Sequence, residues 1–585
     1  MMLVFGAIPG HAADYELAGG KLSVKGSVSA GSAWRTESQD TTLLPNVNSS
    51  QVGIVGTAIT PTAGRNQDDG NLNFNKWHPV SQVVNGYLSA EYKSGDYGGL
   101  FSAKGWYDHV LADTTVPWGN STNGYAPGAP LSDDGAQPRS KFGGVALDNL
   151  YVNGRNPIGS MPLDWKLGWQ KLDWGNRYLV VGGLRDLNPI DIPALTRPGM
   201  LQRDQETRIP VPQIFARLGL TKSTAVEGFY QFHFERHASS QCGTFYSGAD
   251  WVADGCNAVV FGNQTDRAAI ATGNFVHRAA NVLPSNTGQL GLGITQTVEE
   301  LGTKFGAYFT RFHSRAGFAS FTKSLRTTAP YVPGNPDGLN PTYFLEWPEN
   351  IRMFALNFET AFKGGTAFGE LSYRPNQPLQ FNAADLLNAV VTTTGPTQLR
   401  DRVNAVAPGG ELTGFERHKA LQLQLGAVGV IPGVLGAAGM TWGGEVIYKR
   451  IPDLPDPNVL RFGRSDIFGQ GPVNGVCPPP AVPSQCTTDG YVSQNAWGFR
   501  TVLGLRYANV ADGVDLIPSM LFGMDVSGWS GDGAILQGRK LAAVSLRANF
   551  KSGFVGDIAW VPTWGGTYNN QRDRSAVALY IGQRF

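Results

Sequence analysis

Apolar and polar residues alternate one by one along many stretches of about ten residues in this chain. In residues 21–30, every even position is apolar or small and every odd position is Lys or Ser. Successive side chains of a β-strand point to opposite faces, so this period of two predicts strands with one apolar and one polar face. The same period recurs in residues 88–93, 101–108, 226–235, 367–374, 497–507, 542–550 and 554–560. A soluble β-sandwich alternates too, but with shorter strands and fewer aromatic residues at the strand ends.

Long segments rich in Gly, Pro, Asn, Ser and Asp separate these strands. A compact soluble domain seldom carries connections this long, whereas a membrane barrel has long outer loops and short periplasmic turns. We therefore predict an all-β fold, a transmembrane antiparallel β-barrel of about 16 strands (14–18), formed by residues 14–585 as one domain. The predicted loops are residues 46–85, 114–142, 238–298, 314–348, 375–413 and 452–496.

One uncharged run has the length of a transmembrane helix. Leu425 to Gly444 spans twenty residues without a charge, which is enough to cross a bilayer as a helix. However, Pro432 interrupts the run, the run contains seven Gly, and its flanks alternate. We predict two strands joined by a tight turn at residues 431–434.

Composition supports a barrel in a membrane. Charged residues make up 16% of the chain, against about a quarter in ordinary proteins. The mean hydropathy is nevertheless only −0.17, as expected where apolar residues face lipid and polar ones face a lumen. The 47 basic and 46 acidic residues give a net charge of +1, and no basic run predicts a nucleic-acid partner.

The C-terminal strand carries the most specific local signal. Ile581 and the C-terminal Phe585 lie on one apolar face. This resembles the C-terminal signature by which the barrel-assembly machinery reads outer-membrane barrels, although Gln583 departs from the usual aromatic residue. The expected location is the bacterial outer membrane, with lipid and lipopolysaccharide around the chain.

The N-terminus resembles the end of a secretory signal peptide. Residues 1–13 contain an apolar stretch, a Pro-Gly break and then small residues, so cleavage after Ala12 or Ala13 is expected. The basic region that usually precedes the apolar stretch is missing. The alternative is that these residues are simply disordered.

Four cysteines form two close pairs within predicted loops, Cys242 with Cys256 and Cys477 with Cys486. Two local disulfides are expected on an oxidising face of the membrane. The alternative, a four-cysteine metal site, is disfavoured because the CxxC spacing is absent and three prolines follow Cys477. No metal site is predicted.

Residues 185–208 form a segment that cannot face lipid because it is densely and evenly charged. We predict that it folds inward as a constriction or plug and pairs with lumen charges such as Glu370 and Arg374, which share one strand face. The alternative is that these charges only brace the barrel wall. The charged residues are Arg185, Asp186, Asp191, Arg197, Arg203, Asp204, Glu206 and Arg208.

Several motifs along nearly the whole chain carry a family resemblance. They are Trp174-Gly175, Asn188-Pro189-Ile190-Asp191, Arg197-Pro198-Gly199, Glu346 to Arg352, Gly369 to Arg374, Gln377 to Gln380, Asp525-Val526, Gly538 to Lys540 and Arg572 to Arg574. The chain resembles the proteobacterial outer-membrane family called domain of unknown function 1302. The resemblance implies an outer-membrane barrel whose partners include an RND-type inner-membrane transporter and a periplasmic carrier protein. It implies no settled substrate.

No motif predicts an enzyme. The histidines are scattered singly, and neither a Gly-x-Ser-x-Gly nor a His-Glu-x-x-His motif is present, so neither catalysis nor a cofactor is expected. The function predicted from the sequence is passage of a small hydrophobic or amphipathic molecule, which the inward aromatic residues Trp106 and Phe229 would suit. The alternative is a plugged barrel that acts as a surface-binding or structural protein.

Overall fold

Eighteen antiparallel strands form a closed ring within the residues that the structure, a computed structural model, describes: 13–175, 179–201, 206–478 and 486–585. The ring closes because the last strand pairs with the first, from Ser27 opposite Arg584 to Arg35 opposite Ala576. The strands are β1 Gly20–Arg35, β2 Pro79–Ser94, β3 Tyr97–Asp108, β4 Gly143–Ile158, β5 Met161–Gln170, β6 Val211–Gly219, β7 Thr224–Gln231, β8 Gln289–Val298, β9 Thr303–Phe312, β10 Ile351–Phe362, β11 Gly365–Gln380, β12 Phe415–Pro432, β13 Gly439–Arg450, β14 Asn495–Ala511, β15 Val514–Ser527, β16 Arg539–Phe550, β17 Phe554–Val561 and β18 Ala576–Arg584.

The strands turn their apolar faces outward. In β1, Val28 is 52% exposed while its neighbour Ser27 is 4% exposed, and in β14 Leu503 is exposed while Arg500 is buried. This reverses the arrangement of a soluble protein, and it is the arrangement of a barrel surrounded by lipid. The prediction of an antiparallel barrel is confirmed, and its outward apolar faces suit a surrounding lipid bilayer.

The ring has 18 strands, whereas about 16 were predicted. Eighteen is the upper end of the predicted range, and about 16 was too low. Strands β5 and β6 lie in a stretch whose charges obscure the alternation. Their charged residues, such as Lys166 and Arg217, line the lumen while their apolar residues face outward.

Short turns and long loops alternate around the ring. The short turns, such as residues 220–223, 299–302 and 363–364, lie at one edge of the barrel. Membrane barrels have their short turns on the periplasmic side, so this edge is taken as the periplasmic one. The nine long loops in the described chain are L1 36–78, L2 109–142, L3 171–210, L4 232–288, L5 313–350, L6 381–414, L7 451–494, L8 528–538 and L9 562–575.

Four predicted loops included residues that belong to barrel strands. Residues 79–85 belong to β2, 289–298 to β8, 375–380 to β11 and 495–496 to β14. Their polar residues face the lumen, as Asn85 and Gln289 do, so polarity alone did not distinguish them from loop. The prediction of two strands with a turn near residues 431–434 is confirmed, because β12 ends at Pro432 and β13 begins at Gly439.

The outer loops fold into a cap with its own apolar core. Residues from L4 to L7 pack around Tyr343, Phe381 and Phe462. A five-stranded sheet of loop segments, Ala258–Val260, Phe275–Arg278, Thr342–Glu346, Phe318–Thr322 and Glu411–Leu412, stiffens this cap. The other short strands are Ala13–Leu17 (paired with β1), Thr115–Val116, Ala129–Pro130 and Thr563–Gly565.

Helices in the described residues are short and lie in the loops. None of them is both long and apolar enough to cross a bilayer. The α-helices are Asn46–Ser49, Asp69–Asn73, His109–Asp113, Ile192–Thr196, Asp266–Thr272, Ala383–Val391 and Arg400–Ala405, and the 3₁₀ turns are Thr41–Leu43, Ser50–Val52, Ser121–Asn123, Pro138–Ser140, Gly183–Leu187, Glu299–Leu301 and Asp466–Phe468.

Both predicted disulfides are present. Cys242 is bonded to Cys256 in L4, and Cys477 is bonded to Cys486 in L7. The first is fully buried and packs against Ala253. The predicted signal peptide, apart from Ala13, lies outside the described residues.

Candidate functional site in the barrel lumen

Loop L3 lies inside the barrel and contacts opposite walls. The backbone N–H groups of Leu179 and Val180 donate to the carboxylate of Glu445 on β13, at 2.5 and 3.1 Å. Further along L3, Asp191 accepts a hydrogen bond from Lys104 on β3 at 2.7 Å. Strands β3 and β13 are eight positions apart by the shorter way around a ring of eighteen, so the described parts of L3 reach across the lumen.

Strand β11 holds the middle of L3 through the two residues predicted to line the lumen. Glu370 accepts from the backbone N–H of Leu184 at 2.9 Å. Arg374 donates to Asp186 at 2.7 Å and to the carbonyl oxygen of Gly183 at 3.1 Å.

Gly183 is required at this contact. Its φ is +60°, and a Cβ built on it would lie 1.8 Å from Oε1 of Glu370. Glycine alone combines that conformation with so close an approach between backbone and side chain. Neither Gly183 nor Glu445 was predicted from the sequence, because neither forms part of a charged run.

Asp191 is the centre of a buried polar group. Its carboxylate caps the helix Ile192–Thr196 by accepting from the backbone N–H of Ala194 at 3.1 Å. Lys104 also donates to the carbonyl oxygen of Glu206, and Arg139 lies 3.7 Å from Asp191. Two cations therefore balance a carboxylate that has almost no exposure to water.

The C-terminal part of L3 contacts β1, β2 and β3. The carbonyl oxygens of Gly199 and Pro198 accept from Ser29 at 2.6 Å and from Asn85 at 2.9 Å. The guanidinium of Arg197 lies over the ring of Trp106, 4.1 Å from its centre. Trp106 faces the lumen, but L3 covers it.

The remaining residues predicted for the constriction have different surroundings. Arg208 donates to the carbonyl oxygen of Leu172 at 3.2 Å and lies 3.4 Å from Asp173. Glu206 is buried, and Arg185 is part of the turn Gly183–Leu187. Arg203 and Asp204 lie outside the described residues.

An apolar cluster lies inside the lumen next to these polar contacts. The ring of Trp174 in L3 is 5.2 Å from that of Phe229 on β7 and 4.8 Å from that of Tyr308 on β9. L3 therefore packs on the wall through apolar as well as polar groups. The buried members are Leu172, Trp174, Leu184, Leu187, Phe229, Tyr308, Phe312, Ile351, Met353 and Ala355.

A cavity of about 500 Å³ lies in the lumen, bounded on one side by the beginning of L3 and by Trp174. Arg217, Lys304 and Glu359 place it toward the periplasmic edge, since each is within four residues of a short turn. Its walls combine aromatic rings with charges of both signs. The lining includes Lys166, Lys171, Asp173, Trp174, Phe215, Arg217, Glu227, Lys304, Tyr308, Phe358, Glu359 and Phe368.

Comparison with known proteins identifies a family. The family model described as "Protein of unknown function (DUF1302)" matches residues 1–585. No curated protein sequence matches the chain.

Several solved structures share a low similarity with the chain. The outer membrane channel DcaP of Acinetobacter baumannii is 10% identical with a TM-score of 0.35, covering 99% of this chain and 100% of that one. OccAB4 of the same organism is 9% identical with a TM-score of 0.38, covering 96% and 98%. OccK9 (OpdG) of Pseudomonas aeruginosa is 10% identical with a TM-score of 0.37, covering 96% and 97%.

Proposed function

The chain belongs to the family described as protein of unknown function (DUF1302), and from that premise we propose that it is an outer-membrane channel constricted by L3. The observation that carries the proposal is the path of L3 between Glu445 and Lys104 on opposite walls. A charged, hydrogen-bonded segment across a lumen narrows the route and makes passage depend on the size and charge of the cargo.

The proposed cargo is a small amphipathic molecule. The cavity below L3, about 500 Å³, falls in the usual range of pockets for small ligands. Rings such as Phe215 and Tyr308 suit an apolar part, while Arg217 and Lys304 suit an acidic group. The proposal includes transfer of this cargo to or from a periplasmic carrier and an RND-type transporter, which rests on the family resemblance alone.

One observation favours the second candidate, a plugged barrel with a binding or structural role at the cell surface. The apolar cluster around Trp174 joins L3 to four strands of the wall, and separating it would expose buried apolar surface to water. In that role the cap of outer loops would bind the partner.

Conductance in planar bilayers tests the constriction. We expect the wild-type barrel to conduct weakly, and a variant with residues 185–208 replaced by a short Gly-Ser linker to conduct several-fold more. Deleting the exposed residues 333–338 of L5 is the matched control, because it shortens a loop outside the lumen. An unchanged conductance in a variant that still migrates as a folded barrel would show that L3 does not limit passage.

A transport assay separates the two candidate functions. Liposomes containing the wild-type protein should take up a small amphipathic carboxylic acid faster than empty liposomes. If neither the wild-type protein nor the L3 replacement admits any such solute, the plugged-barrel role replaces the channel.

A further inference from the structure

The outer loops L1 and L4 bury four aspartates next to one another. Asp68 and Asp69 lie at the start of the helix Asp69–Asn73, while Asp250 and Asp266 come from L4. None of their side chains is more than marginally exposed. In the described part of the chain, no Lys, Arg or His nitrogen lies within 4.0 Å of any of these carboxylates. The nearby Arg574 instead donates to the carbonyl oxygen of Phe245.

Three of the carboxylates are held by a donor on one oxygen only. The indole N–H of Trp118 donates to Oδ1 of Asp69 at 2.7 Å. The backbone N–H of Asp69 donates to Oδ2 of Asp250 at 3.3 Å. The amide of Asn48 donates to Oδ2 of Asp266 at 2.8 Å and to Oδ2 of Asp68 at 3.1 Å.

The second oxygen of each of these three groups has no hydrogen-bond partner. These atoms are Oδ2 of Asp69, Oδ1 of Asp250 and Oδ1 of Asp266, and all three are buried. An unpaired carboxylate oxygen away from water is strongly destabilising unless a cation or a proton compensates it. The donors around the group fix the carboxylates from behind, as outer partners do at metal sites.

The spacing of the oxygens suits one cation. One oxygen each from Asp68, Asp69 and Asp250 lies within 4.8 Å of the others. Ligand oxygens lie about 2.3–2.6 Å from a calcium ion, so two ligands of the same ion are separated by at most about 5 Å. The group contains only oxygen donors, which favours Ca²⁺ over Zn²⁺. A flexible cage of carboxylates also favours Ca²⁺ over the more strictly octahedral Mg²⁺.

We propose that Asp68, Asp69 and Asp250, with Asp266 beside them, bind one calcium ion that joins L1 to L4. The ion neutralises a group that forms no direct ion pair with any described residue, since Arg65 and Arg574 act on Asp266 and Asp250 only from more than 4.0 Å away. The sequence gives little sign of this site, because about 180 residues separate its two parts.

The site also supports the lumen segment from outside. L4 pairs with L3, since Ala238 donates to the carbonyl oxygen of Ile190 at 3.0 Å and accepts from the N–H of Ile192 at 3.2 Å. A cation that fixes L4 to L1 therefore holds the part of the cap on which L3 rests. The calcium site does not depend on the channel proposal, because it stands on the loops alone.

Buried protons are the rival explanation. Burial raises the pKa of Asp250 to about 7 and that of Asp266 to about 8. Without a cation, Asp266 would hold its proton at neutral pH, and Asp250 would be protonated about half of the time. In that case the group would be stable without calcium and indifferent to it.

The test is thermal unfolding and calorimetric titration of the full-length barrel in detergent, after a chelator has removed bound ions. Adding CaCl₂ should raise the Tm of the wild-type protein by several degrees, MgCl₂ should raise it less, and titration should show one saturable site per chain. Asp69→Asn and Asp250→Asn should abolish the calcium-dependent rise. Since each removes a repelling charge, we expect their Tm in chelator to equal or exceed that of the wild type.

The matched control is Asp385→Asn, a buried aspartate of L6 that is paired with Arg461 at 2.6 Å. It should lower the Tm but keep the full calcium-dependent rise. Wild-type protein with neither a calcium-dependent rise nor saturable binding would overturn the proposal in favour of protons. A rise that persists in Asp69→Asn and Asp250→Asn would place the ion elsewhere, for example on residual lipopolysaccharide, and would overturn it too. The titration of the wild type decides the question if a variant does not fold.

Discussion

Lys104 on β3 forms an ion pair of 2.7 Å with Asp191 in L3, and both side chains are almost completely buried. This pair attaches the lumen segment to the wall at the point where L3 begins its helix Ile192–Thr196. The two buried charges attract each other strongly, but both have lost their hydration, so the pair adds little net stability. We therefore expect its main effect to be on the position that L3 adopts.

Removing one partner of this pair should release L3. Lys104→Met leaves Asp191 buried with only the more distant Arg139 and Arg197 to balance it, and breaking such a pair costs about 3–5 kcal/mol. We expect lower stability in denaturant titrations and a larger, noisier conductance. The double variant Lys104→Met/Asp191→Asn should recover part of the stability. Lys21→Met, which breaks the exposed pair with Asp14, should cost little stability because water screens both charges. An equal loss of stability in Lys104→Met and Lys21→Met would contradict this role of Lys104.

Gly183→Ala should detach L3 from β11. The new Cβ would collide with Oε1 of Glu370 and disrupt the hydrogen bond to Leu184. Gly159→Ala in the turn between β4 and β5 is the control, because its φ is +62° but no atom lies within 4 Å of its Cβ. That control carries only the backbone strain of about 1–2 kcal/mol. Conductance should rise in Gly183→Ala but not in Gly159→Ala. Equal conductance in the two variants would show that the contact between Gly183 and Glu370 does not hold L3 in place.

Acid should weaken the contact between L3 and L4. The backbone N–H of Ile190 donates to Nδ1 of His237 at 2.8 Å, so this nitrogen must stay unprotonated. Burial lowers the pKa of His237 to about 4. An unfolded histidine takes up its proton near pH 6.5. Below about 6.5 the unfolded state therefore binds more protons than the folded one, and stability falls until the pH reaches about 4.

The measurement is Tm and conductance between pH 7.5 and about 4. His237→Asn keeps an acceptor in place of Nδ1 but does not titrate, so the variant should lose less stability than the wild type over this window. Equal pH profiles for the two proteins would show that His237 does not control the contact.

The charges of the lumen cavity should set its ion preference. Arg217 and Lys304 are near its periplasmic edge, and replacing both with Glu changes the local charge by four units. The reversal potential in a salt gradient should then shift toward cation preference. Lys363→Glu, in an exposed turn at the periplasmic edge, is the control. If it shifts the reversal potential by the same amount, the ions are selected at the periplasmic entrance of the barrel and not in the cavity.

The strands were predictable because every second side chain of a barrel strand faces lipid and is apolar or small. Ser27 and Val28 differ in exposure as their alternation implies. The two disulfides were also predictable, since their cysteines are 14 and 9 residues apart. Both features depend on residues that are close together in the sequence, so the sequence pattern alone indicates them.

The lumen contacts were only partly predictable. A dense charge run identified residues 185–208, but the apolar start of L3 at Leu172 and Trp174 resembles any core segment. Glu445 meets Val180 across 265 residues, and a single inward glutamate in a strand gives no sign of its partner. Asp69 and Asp250 are comparably separated, so only the folded loops bring them together.

The position of L3 has a consequence for biogenesis. L3 leaves the ring between β5 and β6 yet contacts β11 and β13, which follow it in the chain. Its outer side is covered by L4, and the seam between β1 and β18 joins the two ends of the chain. Because these later strands and L4 hold L3 from several sides, we expect the lumen to be filled while the sheet is still open, so that the last strand seals a segment already in place.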